Sequence, residues 1–372
     1  MKGRRFVCFV AASLLLLCAA CAGDGEVVSP TGEIAETYPP PPAPVSTYPP
    51  APTPKPTPSP DPFEGMKGVN PLTGLPMDEA YGDRRPAAVM LNNLKQALPM
   101  YGVSRADIIY EAPAEGGITR MLGVYQDPSQ VEQIGSVRST RAYYLDLAQG
   151  HDAILLHAGY SEEARMEIKN RGVTNMDCLS GYEGTLYWRD QERIRTRGLE
   201  HSAFTSGERI EEAYSKLKGR TEYATGFRQG LLFSDDGTPR GGTPAVSISI
   251  EYSTYKTGLF EYDPLTGRYD VSQYGAPFID GLDDSRVSVT NVIIIYAKIW
   301  NQGDKDGHLS IDLVSSGEGL FACGGRVIPL IWSKASHSAP FVYTLQDGSP
   351  LRLGRGRSFV NIVSRSYKVD IE

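Results

Sequence analysis

Two arginines stand at the start of a predicted helix in residues 134–148, whose sequence is IGSVRSTRAYYLDLA. The pattern predicts a helix that begins at Ser139 or Thr140, so Arg138 and Arg141 lie at its amino-terminal end. That end of a helix carries a partial positive charge, which makes nearby cations unfavourable. The two arginines therefore need a negative partner, which is either an acidic side chain of this chain or an anion that the protein binds.

Polar side chains are most concentrated in residues 111–201. Arginine matches phosphate and carboxylate geometry with two parallel hydrogen bonds. The candidate anion-binding residues are Arg120, Arg138, Arg141 and Arg189, and the polar groups of a candidate pocket are Glu115, His157, Asp190 and His201. The alternative that stays open is internal pairing of the arginines with Glu111, Glu115, Asp146 and Asp190.

The sequence offers little for catalysis or metal binding. His157 could act as a general acid or base, although a lone histidine at a strand end is more often structural. The five histidines form no pair at zinc-binding spacing. A segment with Asp304 and Asp306 resembles a calcium loop, but Gln302 and Leu313 occupy positions that require carboxylate ligands, which favours a hairpin turn. We predict no metal site and no cofactor, and we name no catalytic residue.

The first 21 residues have the features of an export signal. Lys2 and two arginines precede an apolar run, and small residues precede Cys21. This ending resembles the lipobox of bacterial lipoproteins, so residues 1–20 are the predicted signal peptide and Cys21 is the predicted lipidation site. Cys18 stands where the lipobox usually has leucine, and cleavage by ordinary signal peptidase is therefore the alternative. The apolar run is too short to span a membrane.

Composition excludes one class of partner. The formal net charge is −7, and it is more negative once residues 1–20, with three basic and no acidic residues, are removed. A nucleic-acid-binding protein is expected to be basic, so we expect no nucleic-acid partner. Cys178 and Cys323 remain after the signal peptide and Cys21; they are predicted to be either two buried free thiols or a disulfide.

Residues 21–65 form a predicted proline-rich stalk. Between Tyr38 and Pro62, 13 of 25 residues are proline, which favours an extended polyproline II conformation over helix or sheet. At about 3.1 Å per residue the stalk reaches at most roughly 130 Å. It would hold a folded head away from the membrane.

Alternation of apolar and polar residues defines the elements that position the arginines. Runs at 87–93, 106–112, 118–126 and 152–159 are predicted strands, and helices are predicted at 139–149, 161–171 and 206–217. Helix patterns disappear after residue 245, where strand-like runs alternate with turns such as DPLTG at 263–267. The predicted fold is a mixed-sheet α/β first domain at 66–232, followed by a mostly-β second domain at 240–372.

A set of motifs in a fixed order points to one family. Between residues 70 and 365 the chain contains NPLTGLP, RPAAVMLNN, ADIIYEAPAEGGITRMLGVYQ, IGSVRSTRAYYLDLA, DAILLHAG, YWRD, HSAFTS and YDPLTGRY. Together they resemble the YerB-like bacterial lipoproteins. The resemblance implies a signal, a lipid anchor, a stalk, an α/β domain and a β-rich domain, and it implies no reaction. The family pattern has asparagine, histidine and tryptophan where this chain has Ser202, Phe278 and Phe359.

Two classes of function are consistent with these features. The first is a cell-envelope lipoprotein that binds or scaffolds, lies on the outer face of the cytoplasmic membrane, and recognises an anionic envelope polymer or a protein partner. The second is a transferase or hydrolase that processes phosphate or pyrophosphate groups of wall-polymer precursors, for which positioned cations would stabilise the transferred group. The absence of a catalytic motif favours the first class.

Overall fold

The computed structural model describes residues 68–372. The predicted signal peptide at 1–20, Cys21 and the predicted stalk at 21–65 lie outside the described residues. Four α-helices occur in the described part of the chain. They are α1 (Ala142–Gly150), α2 (Glu162–Arg171), α3 (Gln191–Arg197) and α4 (Gly207–Ser215).

The strands of the first part of the described chain are β1 (Ala87–Asn92), β2 (Ile108–Pro113), β3 (Thr119–Tyr125), β4 (Ile134–Gly135), β5 (Ile154–His157), β6 (Asn175–Asp177), β7 (Trp188–Arg189), β8 (Ala203–Thr205) and β9 (Phe233–Ser234). The later strands are β10 (Thr243–Pro244), β11 (Ser247–Glu251), β12 (Thr257–Asp263), β13 (Arg268–Gln273), β14 (Ala276–Pro277), β15 (Ser288–Val289), β16 (Asn291–Tyr296), β17 (Lys298–Asn301), β18 (Leu309–Asp312), β19 (Ser316–Cys323), β20 (Arg326–Ser333), β21 (Val342–Thr344), β22 (Leu353–Gly354), β23 (Ser358–Val363) and β24 (Lys368–Ile371).

One mixed sheet of eleven strands organises the fold. Its order is β10-β20-β19-β16-β23-β2-β3-β1-β5-β6, with β21 paired to β20. β23 pairs in parallel with both β2 and β16, and β5 pairs in parallel with both β1 and β6. Because β16, β19, β20 and β23 follow residue 240, the sheet draws strands from both predicted domains. The predicted domain boundaries themselves stay predictions.

The central sheet is buried on both faces. On one face α1 packs over the sheet, and Leu122, Tyr144 and Leu145 belong to that core. On the other face residues of β16 and β23 pack against a second sheet, whose order is β14-β13-β12-β11-β24 with β15 paired to β13. Because both faces are covered, apolar residues predominate at successive positions of β1, β2 and β3 instead of alternating with polar ones.

Helix α2 follows its sequence signals closely. Ser161 Oγ accepts a hydrogen bond from Ala164 N over 3.3 Å, and Glu162 begins the acidic first turn. The helix ends at Gly172, whose φ of 62° lies in the left-handed region that favours glycine. α4 also lies where the sequence predicts a helix, whereas α3 was not predicted.

Helix α1 begins later than the sequence predicts. Arg141, and not Ser139 or Thr140, is the residue before its first turn, and Arg141 is itself extended. Thr140 N donates to Gly159 O over 2.9 Å, which ties the preceding segment to the chain after β5. This tertiary hydrogen bonding outweighs the local helix signal at 139–141.

The strand-rich second part agrees with the sequence. All regular elements between Lys216 and Glu372 are strands, and β12 and β13 pair as a hairpin around the predicted turn at 263–267. β17 and β18 pair in the same way around the segment that resembles a calcium loop.

Candidate anion-binding site

Three of the predicted arginines lie at the carboxyl ends of the parallel strands β1 and β5 of the central sheet. β1 ends at Asn92, which is opposite Arg120 in the antiparallel register with β3. The extended segment 136–141 crosses between the ends of β1 and β5. Arg138 N donates to Met90 O over 2.9 Å, which fixes this segment against β1. Ligands of α/β sheets commonly bind at this edge.

Glu115 lies between two of these arginines. Its Oε1 accepts from Arg120 Nη2 over 2.6 Å and from Arg141 Nη2 over 2.5 Å, and its Oε2 accepts from Arg141 Nε over 3.2 Å. The side chains of Arg120 and Arg141 are 3% and 8% exposed, and that of Glu115 is 22% exposed. Gly116 and Gly117 follow Glu115, are exposed and have positive φ, so they form the solvent side of the site.

Arg120 uses only part of its hydrogen-bonding capacity. A guanidinium group has five N–H donors, and a buried donor without a partner is costly. Nε and Nη1 of Arg120 are buried and have no hydrogen-bond partner among residues 68–372. An anion that reached Arg120 would accept these hydrogen bonds.

Arg138 is connected to a histidine through a second carboxylate. Arg138 Nη2 donates to Glu200 Oε2 over 2.5 Å, and Glu200 Oε1 lies 3.5 Å from His201 Nε2. Asn92 Nδ2 donates to His201 Nδ1 over 2.9 Å, which places the proton of the neutral ring on Nε2, facing Glu200. Burial lowers the pKa of His201; the nearby carboxylate of Glu200 acts in the opposite direction, and Arg138 acts in the same direction as burial.

The charges of this cluster do not balance. Three guanidinium groups face two carboxylates, which leaves one positive charge. Burial lowers the pKa of Arg138 and of Arg141, and the nearby charge of Arg120 lowers both further. Burial alone would raise the pKa of Glu115, but Arg120 and Arg141 together bring it down to about 2. The site therefore favours additional negative charge.

Two predicted site residues lie in a different environment. Arg189 Nη1 donates to Leu199 O over 3.0 Å, and Arg189 Nε lies 3.4 Å from a carboxylate oxygen of Glu183. Asp190 accepts from Arg193 N over 2.9 Å and thereby caps α3. Neither contacts the three clustered arginines.

His157 also lies apart from the arginines. Its side chain is fully buried at the end of β5, with Nδ1 2.9 Å from Gly159 O and Nε2 3.1 Å from Asn175 Oδ1. Burial lowers its pKa, and Asp177, 3.7 Å away, acts in the opposite direction. Both ring nitrogens thus contact protein oxygens. These contacts favour a structural role for His157 over a role as general acid or base.

Most of the acidic residues considered for internal pairing have other partners. Glu111 pairs with Lys256 over 3.0 Å, and Asp146 pairs with Arg171 over 2.5 Å. With Asp190 capping α3, only Glu115 of the four contacts the cluster. We call Arg120, Arg138, Arg141, Glu115, Glu200, His201 and Asn92 the arginine site.

Sequence reasoning missed two members of the arginine site. Asn92 is the last residue of β1, and its position at the end of an apolar run was the available signal. Glu200 precedes His201 in a short 3-10 turn and is 52% exposed. Nothing in its local sequence indicates that it reaches Arg138, which is 62 residues away along the chain.

The remaining candidates for chemistry lie elsewhere. Cys178 and Cys323 are free and buried, and burial raises the pKa of each thiol to about 11. The β17–β18 turn brings ligand atoms of Asp304, Asp306 and His308 within 4.8 Å of one another, and these residues are largely exposed. His308 Nδ1 is 2.5 Å from Asp304 Oδ2, a contact that needs no ion.

Comparison with known proteins assigns the family. Residues 72–220 match the family model described as "Protein of unknown function (DUF3048) N-terminal domain", and residues 248–360 match its C-terminal domain. The chain is 33% identical over 297 residues to the Bacillus subtilis (strain 168) protein named "Putative lipoprotein YerB", covering 79% of this chain and 85% of the relative. The chain belongs to the YerB-like bacterial lipoprotein family.

A solved structure of the family supports the fold. The crystal structure of the YerB protein from Bacillus subtilis aligns with a TM-score of 0.71 at 30% identity, covering 81% of this chain and 99% of that chain. The name of the Bacillus subtilis relative describes that protein as a putative lipoprotein. Within residues 68–372, no helix has the length and apolar character needed to cross a membrane.

Proposed function

We propose that this chain is an envelope lipoprotein whose folded part binds an anionic group, phosphate or carboxylate, at the arginine site. The observation that carries the proposal is Arg120, which is buried, charged and has two nitrogens without partners, beside Arg138 and Arg141. Guanidinium groups bind such anions through paired, charge-assisted hydrogen bonds. The chemistry proposed is recognition without turnover.

Two carboxylates of the chain compete with the external anion. Glu200 is half exposed and has a single ion pair to Arg138, so it is the easier one to displace. Glu115 is held by two arginines, so it is the harder one to displace. Removal of either carboxylate should therefore strengthen anion binding.

The test is calorimetric titration of the full chain with inorganic phosphate and pyrophosphate. Arg120→Met and Arg138→Met are expected to weaken binding by tenfold or more, on the order of the 1.5 to 3 kcal/mol of a charged hydrogen bond. Glu200→Gln is expected to strengthen it. Arg195→Met is the matched control, because Arg195 is 77% exposed on α3.

No binding by the unmodified chain, or equal binding by Arg120→Met and the control, would refute the proposed site. Release of phosphate from pyrophosphate during the titration would instead favour the transferase or hydrolase alternative.

The cellular part of the proposal concerns the residues before the fold. We infer that residues 1–20 are removed, that Cys21 is lipidated, and that residues 21–65 hold the head away from the outer face of the cytoplasmic membrane. The anchor would be the membrane partner, and an anionic envelope polymer or a protein would be the partner of the head. The lipoprotein name of the relative supports this.

The corresponding experiment replaces Cys21 by serine. The unmodified protein is expected in the membrane fraction after cell lysis, and it is expected to be accessible to external protease in intact cells. Cys21→Ser is expected to leave the membrane fraction. Retention of the variant on the membrane would contradict lipid anchoring through Cys21.

A further inference from the structure

Three exposed apolar side chains lie on loops that adjoin segments of the arginine site. Leu179 is 61% exposed, Leu199 is 59% exposed and Tyr160 is 41% exposed. They belong to three different loops, so no single amphipathic element explains their exposure. We call these three residues the apolar rim.

Backbone contacts place the loops of the apolar rim next to the segments that carry Arg138, Arg141 and Glu200. Leu199 directly precedes Glu200, the ion-pair partner of Arg138. Tyr160 forms a parallel bridge with Thr140, the residue before Arg141.

Leu179 approaches the same segment from another side. A Cβ built on Gly159 would lie 3.2 Å from Leu179 Cδ1 and 3.8 Å from Ser139 Cβ. The Ser139 hydroxyl accepts from Arg141 Nη1 over 3.3 Å. Leu179 therefore packs beside Gly159, on the side of the loop next to Ser139.

The backbone next to the apolar rim is already hydrogen-bonded. Gly159 O accepts from Thr140 N, and Thr140 O accepts from Ser161 N. Leu199 O accepts from Arg189 and from the Ser202 hydroxyl. A peptide laid across this surface would need backbone partners that are occupied, whereas a hydrocarbon chain needs none.

We propose that the ligand of the arginine site is a phosphate ester of an aliphatic alcohol. Its phosphate would contact Arg120, Arg138 and Arg141, and its hydrocarbon tail would lie across the apolar rim. This inference rests on the proposed function and specifies its ligand class. The residual positive charge of the site attracts the phosphate, and the exposed leucines provide apolar surface for the hydrocarbon tail. Burial of the hydrocarbon tail adds affinity that inorganic phosphate lacks.

The test compares inorganic phosphate, O-phosphoserine and butyl, hexyl and octyl phosphate. The full chain is held in zwitterionic nanodiscs, and empty nanodiscs serve as the blank. Affinity is expected to rise by about twofold or more per added methylene, which is part of the gain that complete burial of a methylene gives. Leu179→Ser and Leu199→Ser are each expected to weaken octyl phosphate binding about threefold or more, and to leave phosphate binding unchanged.

Leu265→Ser is the matched control, because Leu265 is 95% exposed in the β12–β13 turn. Equal affinity for octyl phosphate and inorganic phosphate would overturn the inference while the proposed anion site stands. Tighter binding of O-phosphoserine than of octyl phosphate would overturn it in favour of a phosphorylated peptide. Failure of every phosphate compound to bind would refute the proposed function as well.

Discussion

Replacement of Glu115 by glutamine tests whether the carboxylate between the arginines is held as the structure indicates. The pKa of Glu115 falls from the ordinary 4.5 to about 2. At about 1.4 kcal/mol per pKa unit this corresponds to about 3 kcal/mol of folding free energy. The side chain is 22% exposed, and solvent screening reduces the expected loss in Glu115→Gln to about 2 kcal/mol at neutral pH.

The pH dependence gives the sharper test. Because the folded-state pKa lies below the unfolded-state value, the stabilisation is complete above 4.5 and is lost as the pH falls toward about 2. Glutamine does not titrate, so the variant lacks this contribution at every pH. The difference in unfolding free energy between the two proteins is therefore expected in full near pH 7 and should shrink to about 0.4 kcal/mol near pH 2.

Urea denaturation followed by tryptophan fluorescence measures this difference, since the chain has three tryptophans. Glu200→Gln is the control. Because Glu200 is half exposed, this substitution is expected to lower the unfolding free energy by less than about 1 kcal/mol. Equal stability of Glu115→Gln and the unmodified protein at pH 7 would refute the reasoning. A difference that persisted undiminished at pH 2 would refute it equally.

Three further results are expected from the fold. The thiols of Cys178 and Cys323, buried with pKa values raised to about 11, should react with iodoacetamide only after unfolding. Lys256→Met should lower the unfolding free energy by about 3 to 5 kcal/mol in urea titrations, because it leaves the buried carboxylate of Glu111 without its cation. Gly207→Ala should lower the melting temperature by several degrees, since a Cβ there would lie 1.8 Å from a backbone oxygen.

Each of these results has its own check. Labelling of Cys178 or Cys323 in the native protein would contradict the buried positions of these two cysteines. Replacing Glu111 by leucine together with Lys256→Met should recover part of the stability, and no recovery would argue against a coupled pair. Gly219→Ala is the control for Gly207→Ala, because its nearest neighbouring atom would be 3.8 Å away. Equal effects of the two alanines would contradict the close approach.

The sequence by itself determined most of the elements. Strand positions follow from apolar runs bounded by turn residues, and α2 follows from Ser161 and Gly172 at its ends. The hairpin turn at 263–267 is likewise local. These features depend on backbone preferences and on interactions among neighbours within a few positions, which a single sequence displays. The motif order was also sufficient to identify the family.

Tertiary structure decided how those elements combine. The start of α1 moved to Ala142 because the residues before it pair with the chain after β5. The parallel pairing of β2 with β23 joins segments about 250 residues apart in one sheet. Such pairings depend on which strands become neighbours when the chain folds, and local strand propensity does not indicate the partner of a strand.

The arginine site shows the same division. Residue type alone selected Arg120, Arg138 and Arg141 together with Glu115. Residue type could not show that Arg189 lies outside the cluster. It also could not show that Glu200, 62 residues from Arg138 in the sequence, is the partner of Arg138. Charge interactions depend on distance in space and on burial, and both are set only when distant segments pack together. The sequence therefore named the chemical groups, and the fold decided which of them face one another.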